Sequence, residues 1–369
     1  MTLHYQAAVL QRPRSPLQIE TVAAAPLAPS DVLVRVRAAG LCHTDLEVID
    51  GSLRYPMPIV LGHEAAGVVA DVGPAVRQLK AGDHVILSWN PHCGHCYYCD
   101  RGLPILCEDY LAKGPMAVGF DGTCKARRAS GEELKHLMFL GAFGEYCIVP
   151  EQQAIAVSRD IPFDRACLIG CGVMTGVGAV INTAQVEPGA SVAVIGCGGV
   201  GISAIQGARL SGAAVIVGVD PVEGKHALAR RFGATHAVHP DNLSELSAEL
   251  TGGEGFDYAF EVVGAPQTIR SAWGAARRGG TVVIVGAGRA DQQVEFTPFE
   301  LLFDGKKMLS SLYGEADVRR DYARLLGLWR AGRLDLEGMI THRLKLDDLD
   351  QGLAALGQGD VIRQVIIHD

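Results

Sequence analysis

The sequence lacks an excess of positive charge. Its 33 Lys and Arg residues are outnumbered by 41 Asp and Glu residues, which gives a formal net charge of -8. Nucleic acids and anionic membrane surfaces favour proteins with clustered Lys and Arg. The composition therefore argues against both of these partners and favours a small molecule.

Targeting signals and long apolar runs are also missing from the pattern of residues. Residues 1–7 do not place a basic stretch ahead of an apolar one, as a secretory signal does. No apolar run reaches the roughly 18 residues that suggest a transmembrane helix. We therefore expect a cytoplasmic protein that has no membrane partner.

The 45 glycines follow no G-X-Y period or internal repeat, so they must be concentrated locally. With 369 residues and 48% hydrophobic residues, the chain is long enough for two domains that each bury a core. In a reducing compartment, a close cluster among its ten cysteines favours metal binding over disulfides.

The first third of the chain has the pattern of β-structure. Apolar and polar residues alternate over Asp31–Arg37, and short β-type runs at Gly67–Ala70 and His84–Leu87 are separated by Gly and Pro turns. We expect a β-rich domain there. The C-terminal run Val361–Ile367 predicts a strand that rejoins it.

Near residue 173 the pattern changes to strands that alternate with Gly-rich turns and helices. Four strands are nearly all apolar: Ser191–Gly196, Ala214–Val219, Phe256–Phe260 and Thr281–Val285. Such strands are typical of a parallel sheet that is covered on both faces. The pattern predicts an α/β, doubly wound domain with a nucleotide site at the strand carboxyl ends.

A G-x-G-x-x-G motif at Gly196, Gly198 and Gly201 lies between the first of these strands and a helix. The glycines permit a tight turn and a close approach of backbone to pyrophosphate, and the helix N-terminus offers free N–H groups. Asp220, at the end of the second strand, would bind a ribose 2′-hydroxyl and repel a 2′-phosphate. The motif therefore favours NAD over NADP.

Two alternatives remain open for this motif. It could be a Gly-rich turn in another α/β fold. NADP also stays possible because three cationic residues follow Asp220: Lys225, Arg230 and Arg231.

Four cysteines, Cys93, Cys96, Cys99 and Cys107, have the spacing C-x2-C-x2-C-x7-C. Four thiolates around one tetrahedral ion leave no open position, which predicts a structural zinc. An iron–sulfur cluster or a disulfide pair is the alternative.

A second set of polar residues is dispersed over Gly-rich loops and comprises Cys42, His63, Glu64 and Cys171. Spacing alone does not separate these residues from buried structural ones.

Five segments together carry a family resemblance: G-L-C-H-T-D at 40–45, G-H-E-A-A-G at 62–67, the four-cysteine cluster, L-I-G-C-G at 168–172 and G-C-G-G-V-G at 196–201. From about Ala7 to Arg363 the chain resembles zinc-containing medium-chain alcohol dehydrogenases. It looks closest to the branch of the liver-type, glutathione-dependent formaldehyde and bacterial aryl-alcohol enzymes. Segments Gly119–Thr123 and Phe143–Tyr146 match an insertion of that branch.

The resemblance implies a GroES-like catalytic domain at residues 1–172 and 313–369 and a Rossmann NAD-binding domain at 173–312. It also implies two zinc ions per subunit, with Cys42, His63 and Cys171 holding the catalytic one. This ligand set is recognised from the family rather than derived.

Further roles follow from the same resemblance. Asp45 would hydrogen-bond His63, Glu64 would lie behind the metal, and the Thr44 hydroxyl would take the alcohol proton. The implied cofactor contacts, besides the motif glycines, are His43, Thr175, Gly199, Val200, Lys225 and Arg363. Each of these residues could instead serve packing or surface charge.

Two residues depart from the family pattern. Glu47 stands where liver-type relatives carry a histidine, so the outer end of the proton relay is changed. His43 occupies a position that often carries arginine, and it would hold the cofactor phosphate less tightly.

The resemblance predicts reversible, NAD-linked oxidation of a primary alcohol with an aromatic or bulky apolar group. The implied pocket residues are Leu53, Trp89, Leu137, Met138 and Leu312. A homo-oligomer is expected, with a dimer favoured through an edge strand at Leu309–Leu312 and a tetramer possible.

Three alternatives are weighed against this function. A glutathione-dependent formaldehyde dehydrogenase shares the run Cys42–Asp45, but Ser52–Pro56 lacks the acidic residues with which that branch holds its thiol substrate. An enzyme with permanently bound NAD is not excluded. A non-catalytic protein is disfavoured because all three ligands and Thr44 are present.

Overall fold

The computed structural model describes residues 2–359 and 361–368. These residues form two compact units. The first unit comprises Met1–Cys171, Asp317–Leu326 and Leu336–Asp369, and the second comprises Gly172–Ala316 and Gly327–Asp335. The domain boundaries expected from the sequence, 172/173 and 312/313, remain a prediction.

The strands of the described residues are β1 (His4–Leu10), β2 (Gln18–Ala24), β3 (Asp31–Gly40), β4 (Ile59–Val60), β5 (Glu64–Val72), β6 (His84–Leu87), β7 (Ala126–Arg127), β8 (Glu133–His136), β9 (Tyr146–Pro150), β10 (Ala154–Val157), β11 (Ser191–Ile195), β12 (Val215–Val219), β13 (His236–Val238), β14 (Phe256–Glu261), β15 (Ala276–Ile284), β16 (Lys307–Ser310), β17 (Ile340–Leu344) and β18 (Arg363–Ile367).

The α-helices are α1 (His43–Asp50), α2 (Glu108–Lys113), α3 (Phe163–Leu168), α4 (Met174–Gly178), α5 (Gly199–Leu210), α6 (Gly224–Phe232), α7 (Leu243–Thr251), α8 (Pro266–Ala275), α9 (Pro298–Asp304), α10 (Val318–Arg330) and α11 (Leu349–Gln358). Two π-helical turns, Ile169–Val173 and Ala179–Ala184, follow α3 and α4.

The first unit is built from β-strands, as its alternating sequence predicts. Strands β1, β2, β7, β8 and β4 close a barrel, and a second sheet has the order β10-β6-β5-β3-β18-β17 with β9 also paired to β3. On β3, Val32, Val34 and Val36 are fully buried. The period of two therefore turns one face of β3 into the core.

The second unit is a parallel sheet with the order β13-β12-β11-β14-β15-β16. The order reverses direction between β11 and β14, so their loops diverge at the carboxyl edge, where doubly wound folds bind nucleotides. Helix α8 and strand β14 contribute Trp273 and Phe256 to the core on one side of the sheet. The predicted doubly wound domain is confirmed.

Several predicted strands have other bounds in the structure; β15, for example, spans Ala276–Ile284 rather than Thr281–Val285. The edge strand lies at Lys307–Ser310 rather than Leu309–Leu312, because the chain turns through left-handed backbone at Tyr313–Glu315. The last strand begins at Arg363 rather than Val361, and the backbone N–H of Ile362 instead donates to the Thr341 hydroxyl at 3.0 Å.

One helical run, Phe163–Ala184, has the length and the mean hydropathy, 1.6, that a membrane-spanning helix needs. The expectation that no such apolar run exists is therefore wrong for this segment. However, 78% of its most apolar window is buried within the molecule. The core helix of a globular protein meets the same criterion.

Candidate active site and metal centres

Helix α1 begins directly after Cys42, whose extended backbone places it at the N-cap. The Asp45 carboxylate accepts a hydrogen bond from the Cys42 backbone N–H at 3.1 Å and another from the Gly62 N–H at 3.0 Å. Asp45 is fully buried. It therefore ties the start of α1 to the loop that precedes His63.

The dispersed polar residues are brought together within the first unit. His63 directly precedes β5, Glu64 begins it, and Cys171 lies in the π-helical turn that follows α3. The ligand atoms of Cys42, His63, Glu64 and Cys171 lie within 4.8 Å of one another. Tetrahedral zinc with sulfur at about 2.3 Å needs ligand separations of about 3.8 Å. This group can therefore hold a zinc ion.

The electrostatics of the group also suit a cation. A hydrogen bond with Cys171 and the charge of His63 hold the pKa of the Cys42 thiol well below its usual range, although burial opposes this. Burial lowers the pKa of His63, but the negative charges of Asp45 and Cys42 raise it to about 10. The cluster thus attracts positive charge, which a metal ion would supply.

Glu64 forms a buried ion pair with Arg363 of β18, and both side chains are almost inaccessible. Gly40 makes room for it, because a Cβ there would lie 2.3 Å from the Glu64 Oε2 atom. The pair neutralises a carboxylate next to the metal-ligand group. Sequence reasoning assigned these two residues to the metal and the cofactor separately and did not predict their contact.

The Thr44 hydroxyl lies 3.9 Å from the Cys42 sulfur. Glu47 follows one turn later on α1, so the two side chains lie on the same face of the helix. Burial raises the pKa of Glu47 to about 7, and the charges of Cys42 and Asp50 contribute. A carboxylate that can exchange a proton near neutral pH therefore lies one turn beyond Thr44.

The four-cysteine cluster is a second possible metal centre in the first unit. The ligand atoms of Cys93, Cys96, Cys99 and Cys107 lie within 4.8 Å of one another, and the Cys93 and Cys99 sulfurs are 4.0 Å apart. The Cys93 backbone N–H donates to the Cys107 sulfur at 3.3 Å. All ten cysteines are free, so the disulfide alternative is wrong.

The Gly-rich turn of the second unit requires glycine at two positions for reasons of space. Gly196 has a φ of 102°, and a Cβ on Gly201 would lie 1.8 Å from the Gly196 carbonyl oxygen. Gly198 caps α5, and a Cβ there would meet nothing within 4 Å. Open space above the N-terminus of a helix suits a pyrophosphate.

Asp220 directly follows β12 beside this turn and is buried. Its carboxylate accepts hydrogen bonds from the Cys197 N–H at 2.8 Å and the Val222 N–H at 3.0 Å, and Lys225 lies 3.5 Å away. Arg230 instead donates to the Ala237 carbonyl. Asp220 is thus held in place with its lone pairs partly free for a ribose.

The other predicted cofactor residues are divided between the units. Thr175 of α4 belongs to the second unit, where Gly176 packs so closely on Val200 that a Cβ would lie 2.3 Å from its carbonyl oxygen. Gly199 begins α5. His43 is exposed and belongs to the first unit.

The predicted pocket residues differ in accessibility. Trp89 and Leu137 are buried, whereas Leu53 and Met138 are half-buried. Leu312 is exposed and belongs to the second unit. Sequence reasoning missed three aromatic residues that accompany Trp89: Tyr110, Phe120 and Phe139.

These aromatic rings form a connected series in the first unit. The ring centroids of Trp89 and Tyr110 are 5.9 Å apart, those of Tyr110 and Phe139 5.6 Å, and those of Phe139 and Phe120 5.7 Å. Burial raises the pKa of Tyr110, and the negative charge of Cys171 also contributes to the raised pKa. The aromatic series therefore reaches the neighbourhood of the metal-ligand group. No local pattern in the sequence marks it, because its members are up to fifty positions apart.

Two family models match the chain. The one described as Alcohol dehydrogenase GroES-like domain matches residues 28–159, and the one described as Zinc-binding dehydrogenase matches residues 199–329. The chain belongs to the zinc-containing alcohol dehydrogenase family. The family resemblance inferred from sequence motifs is confirmed.

Individual relatives of this dehydrogenase cover its full length. An S-(hydroxymethyl)glutathione dehydrogenase of Paracoccus denitrificans is 36% identical over 98% of the chain and 99% of its own length. Two crystal structures each cover 100% of both chains. One is an alcohol dehydrogenase zinc-binding domain protein from Burkholderia ambifaria, with a TM-score of 0.95 and 36% identity. The other is benzyl alcohol dehydrogenase from Acinetobacter calcoaceticus, with a TM-score of 0.92 and 28% identity.

The family assignment confirms the mixed α/β fold with its GroES-like and Rossmann-type parts. It makes the protein an oxidoreductase whose cofactors are zinc and NAD and whose partner is a small-molecule alcohol. The iron–sulfur alternative for the four-cysteine cluster and the non-catalytic alternative are not supported.

Proposed function

We propose that this dehydrogenase oxidises a primary alcohol with an aromatic or bulky apolar group to the aldehyde, reversibly, with transfer of hydride to NAD. The observation that carries the proposal is the aromatic series Trp89, Tyr110, Phe139 and Phe120, in which Tyr110 lies within range of the charge of Cys171. Contact with an apolar wall contributes roughly 25 cal/mol of binding free energy for each Å² of substrate surface that is removed from water. An aryl alcohol therefore gains more from this wall than ethanol does.

Cys42, His63 and Cys171 would hold the catalytic zinc. Three ligands leave a fourth position for the alcohol, where a bound zinc ion supplies the Lewis acid that lowers the alcohol pKa. Asp45 orients the loops of Cys42 and His63 through its two backbone hydrogen bonds. Glu64 would lie behind the ligands, where Arg363 neutralises the charge of its carboxylate.

Proton release is the task of Thr44 and the residues beyond it. The Thr44 hydroxyl accepts the proton of the alcohol and donates its own toward solvent. Glu47 lies one turn further on α1 and would be the outer proton acceptor in place of the histidine of liver-type relatives. In the balanced reaction, alcohol and NAD⁺ become aldehyde, NADH and one released proton.

The cofactor would lie on the Gly-rich turn of the second unit. Gly196, Gly198 and Gly201 admit its pyrophosphate, and Asp220 with Lys225 binds the adenosine ribose. Further contacts are assigned to His43, Thr175, Gly199, Val200 and Arg363. Cys93, Cys96, Cys99 and Cys107 would hold the structural zinc.

S-(hydroxymethyl)glutathione is the second candidate substrate. The names of the curated relatives favour it over an aryl alcohol, since the relative from Paracoccus denitrificans carries that name at 36% identity. This substrate bears two carboxylates and an ammonium group, which need charged partners. In the predicted pocket, Leu53 and its neighbours in Ser52–Pro56 offer no acidic side chain for the ammonium group.

A comparison of substrates tests the two candidates. The kcat/KM with NAD is measured for benzyl alcohol, hexanol, ethanol and formaldehyde mixed with glutathione, with zinc content determined on the same sample. The aryl-alcohol proposal requires benzyl alcohol to exceed ethanol by tens-fold to a few hundred-fold. Higher kcat/KM for the glutathione mixture would establish the second candidate instead.

Permanently bound NAD is a further possibility that spectroscopy decides. If NAD were permanently bound, protein purified without added cofactor would release a stoichiometric amount of NAD when it is denatured. The absorbance of the released cofactor measures this amount. We expect only the absorbance of the protein itself, because the proposed NAD is exchangeable and is lost during purification.

A second copy of this chain is the proposed partner of an apolar surface on the second unit. Helix α9 directs its charged side chains toward its own unit, because Glu300 accepts hydrogen bonds from Arg270 and Asp304 pairs with Lys306. Its apolar side chains are exposed: Phe299 by 70%, Leu302 by 75% and Phe303 by 55%. An ordinary surface helix has the opposite arrangement, with its apolar side chains buried and its charged side chains exposed.

The edge strand β16 adjoins this surface and pairs only with β15 among the described strands. An open edge and an apolar helix can both be covered by the same elements of a twofold-related copy. Light scattering should therefore find a dimer, and Leu302→Lys should convert it to a monomer. Leu111→Lys, a matched change at an exposed leucine of the first unit, should leave the dimer intact. Unchanged mass for Leu302→Lys would contradict this interface.

The cytoplasmic location remains an expectation.

A further inference from the structure

The segment that follows β8 contains two residues in strained backbone conformations. Met138 has a φ of 51° and Phe139 a φ of 64°, in the left-handed region that residues other than glycine seldom adopt. Such conformations persist only where surrounding contacts hold them, and they cluster at functional sites. Leu137 and Met138 are predicted pocket residues, and Phe139 belongs to the aromatic series. The strained segment therefore forms part of the proposed substrate wall.

The C-terminal end of this segment is attached to the loop of a metal ligand. The Ala142 N–H donates a hydrogen bond to the Gly62 carbonyl at 2.9 Å, and the Phe143 N–H donates to the Leu61 carbonyl at 2.8 Å. Gly62 directly precedes His63. The strained segment is therefore joined directly to the loop that carries this ligand.

His136 holds the N-terminal end of the segment. Its backbone N–H donates to the Ala117 carbonyl at 2.9 Å, and its Nε2 atom accepts a hydrogen bond from the Lys125 backbone N–H at 2.7 Å. An acceptor at Nε2 places the proton of the neutral ring on Nδ1. Burial lowers the pKa of His136 to about 3, and the charges of Lys125 and Lys135 contribute. The ring therefore stays neutral and keeps this acceptor at neutral pH.

The donor of that hydrogen bond is itself fixed in position. Lys125 is buried, and its ammonium group forms ion pairs with the carboxylates of Asp31 and Asp121, each at 2.7 Å. Asp31 begins β3, and Asp121 lies in the segment Gly119–Thr123. The His136 ring is therefore bound to a donor that two charged contacts keep in place.

Phe139 is the side chain that these two attachments position. It is 1% exposed, and its ring centroid lies 5.6 Å from that of Tyr110 and 5.7 Å from that of Phe120. Because the backbone of Met138 and Phe139 is strained, the release of one attachment would let the turn relax and the ring move. Binding sites depend on such supporting contacts to hold their lining groups in place.

We propose that His136 is a positioning residue that sets the selectivity of the alcohol site. Its hydrogen bond from the Lys125 N–H holds the strained turn against the loop of His63. It thereby fixes the Phe139 ring in the place that suits an aryl alcohol. This inference rests on the proposed aryl-alcohol activity and names the residue that maintains its selectivity.

The first test removes the acceptor. A misfit of one methylene group in an apolar pocket changes kcat/KM by about tenfold to 200-fold. We therefore expect His136→Phe, which keeps a ring but has no acceptor, to lower the ratio of kcat/KM for benzyl alcohol to that for ethanol about tenfold. The loss should lie chiefly in KM for benzyl alcohol, because the metal ligands and the cofactor turn are unchanged.

Matched variants separate this role from a general effect on folding. His136→Gln places an oxygen acceptor within reach of the Lys125 N–H and should keep the ratio of the wild type. His136→Asn carries the same amide on a side chain that is too short to reach it. This variant should give the loss expected for His136→Phe and takes its place if His136→Phe does not fold. His342→Phe, at an exposed histidine of β17, should leave the ratio unchanged.

Near-ultraviolet circular dichroism of the zinc-loaded protein without substrate reports the packing of Trp89 and Tyr110. The spectrum should change in His136→Phe and His136→Asn and stay that of the wild type in His136→Gln. An unchanged spectrum in the first two variants, or an equal loss of kcat/KM for benzyl alcohol and ethanol, would overturn the positioning role. If the wild type did not prefer benzyl alcohol but the spectra followed the expected pattern, the proposed function would fail and the positioning of the wall by His136 would stand.

Discussion

Glu64 and Arg363 form a buried ion pair although 299 positions separate them in the sequence. Because both side chains are almost inaccessible to water, neither charge can be solvated if the other is removed. We expect Arg363→Met to lower the free energy of unfolding by about 3–5 kcal/mol. Urea unfolding followed by fluorescence measures this loss. The double variant Glu64→Gln with Arg363→Met should lose less than the sum of the losses of the two single variants, and an additive loss would mean that the pair is not coupled.

The two cysteine clusters should respond differently to the loss of one thiolate. Cys171→Ser removes a ligand from a site with an open position, so turnover should vanish while the fold and about one zinc ion per subunit remain. Cys99→Ser should instead impair folding or solubility. Zinc analysis, circular dichroism and NADH absorbance measure these effects. Cys147→Ser, outside both clusters, should keep both metals. Full activity in Cys171→Ser would contradict the proposed catalytic site.

The choice of cofactor should depend on Asp220. Asp220→Ala removes an acceptor for the ribose hydroxyls and the repulsion of a 2′-phosphate, so kcat/KM should fall for NAD and rise for NADP. Steady-state constants for both cofactors measure this change. Asp241→Ala, at an exposed aspartate, is the control. A wild-type enzyme that already prefers NADP would refute the role of Asp220.

Glu47 should make stability depend on pH. Burial and neighbouring negative charges raise its pKa from 4.5 to about 7, so the folded state binds the proton more tightly than the unfolded state. Ionisation of Glu47 therefore lowers stability as the pH rises from about 4.5 to about 7. Glu47→Gln removes this loss and should raise the melting temperature more at pH 8 than at pH 5.

Differential scanning calorimetry at the two pH values measures this difference. Glu254→Gln, at an exposed glutamate, reports what the same substitution does elsewhere. A melting-temperature gain for Glu47→Gln that is larger at pH 5 than at pH 8 would be the opposite of the expected sign.

Trp89 should restrict the number of substituents on the substrate carbon that bears the hydroxyl. A broad buried ring at this position leaves little room for two substituents, so the wild type should oxidise benzyl alcohol far better than cyclohexanol. Trp89→Ala should raise kcat/KM for cyclohexanol relative to benzyl alcohol, because it opens space beside the metal site. Trp329→Ala serves as the control. No relative gain for the secondary alcohol in Trp89→Ala would remove Trp89 from the substrate wall.

The features that could be read from the sequence depend on rules that act over a few residues. The alternation along β3, the glycines at 196, 198 and 201, and the close spacing of the four cysteines each predicted a local structure that the fold contains. A strand exposes every second residue to one face, and a tight turn needs glycine, whatever the rest of the chain does. The dispersed ligands Cys42, His63 and Cys171 were assigned only through the family resemblance.

Tertiary structure alone decided the remaining features, because each joins residues that no local rule connects. The Glu64–Arg363 pair depends on the pairing of β3 with both β5 and β18. The contact of Tyr110 with Trp89 and Phe139 depends on how the loops after β6 and β8 fold back on each other. The outward apolar face of α9 depends on Arg270, thirty positions earlier in the sequence, which pairs with Glu300. In each case the energy comes from groups that meet only after folding, so their positions in the sequence carry no sign of the contact.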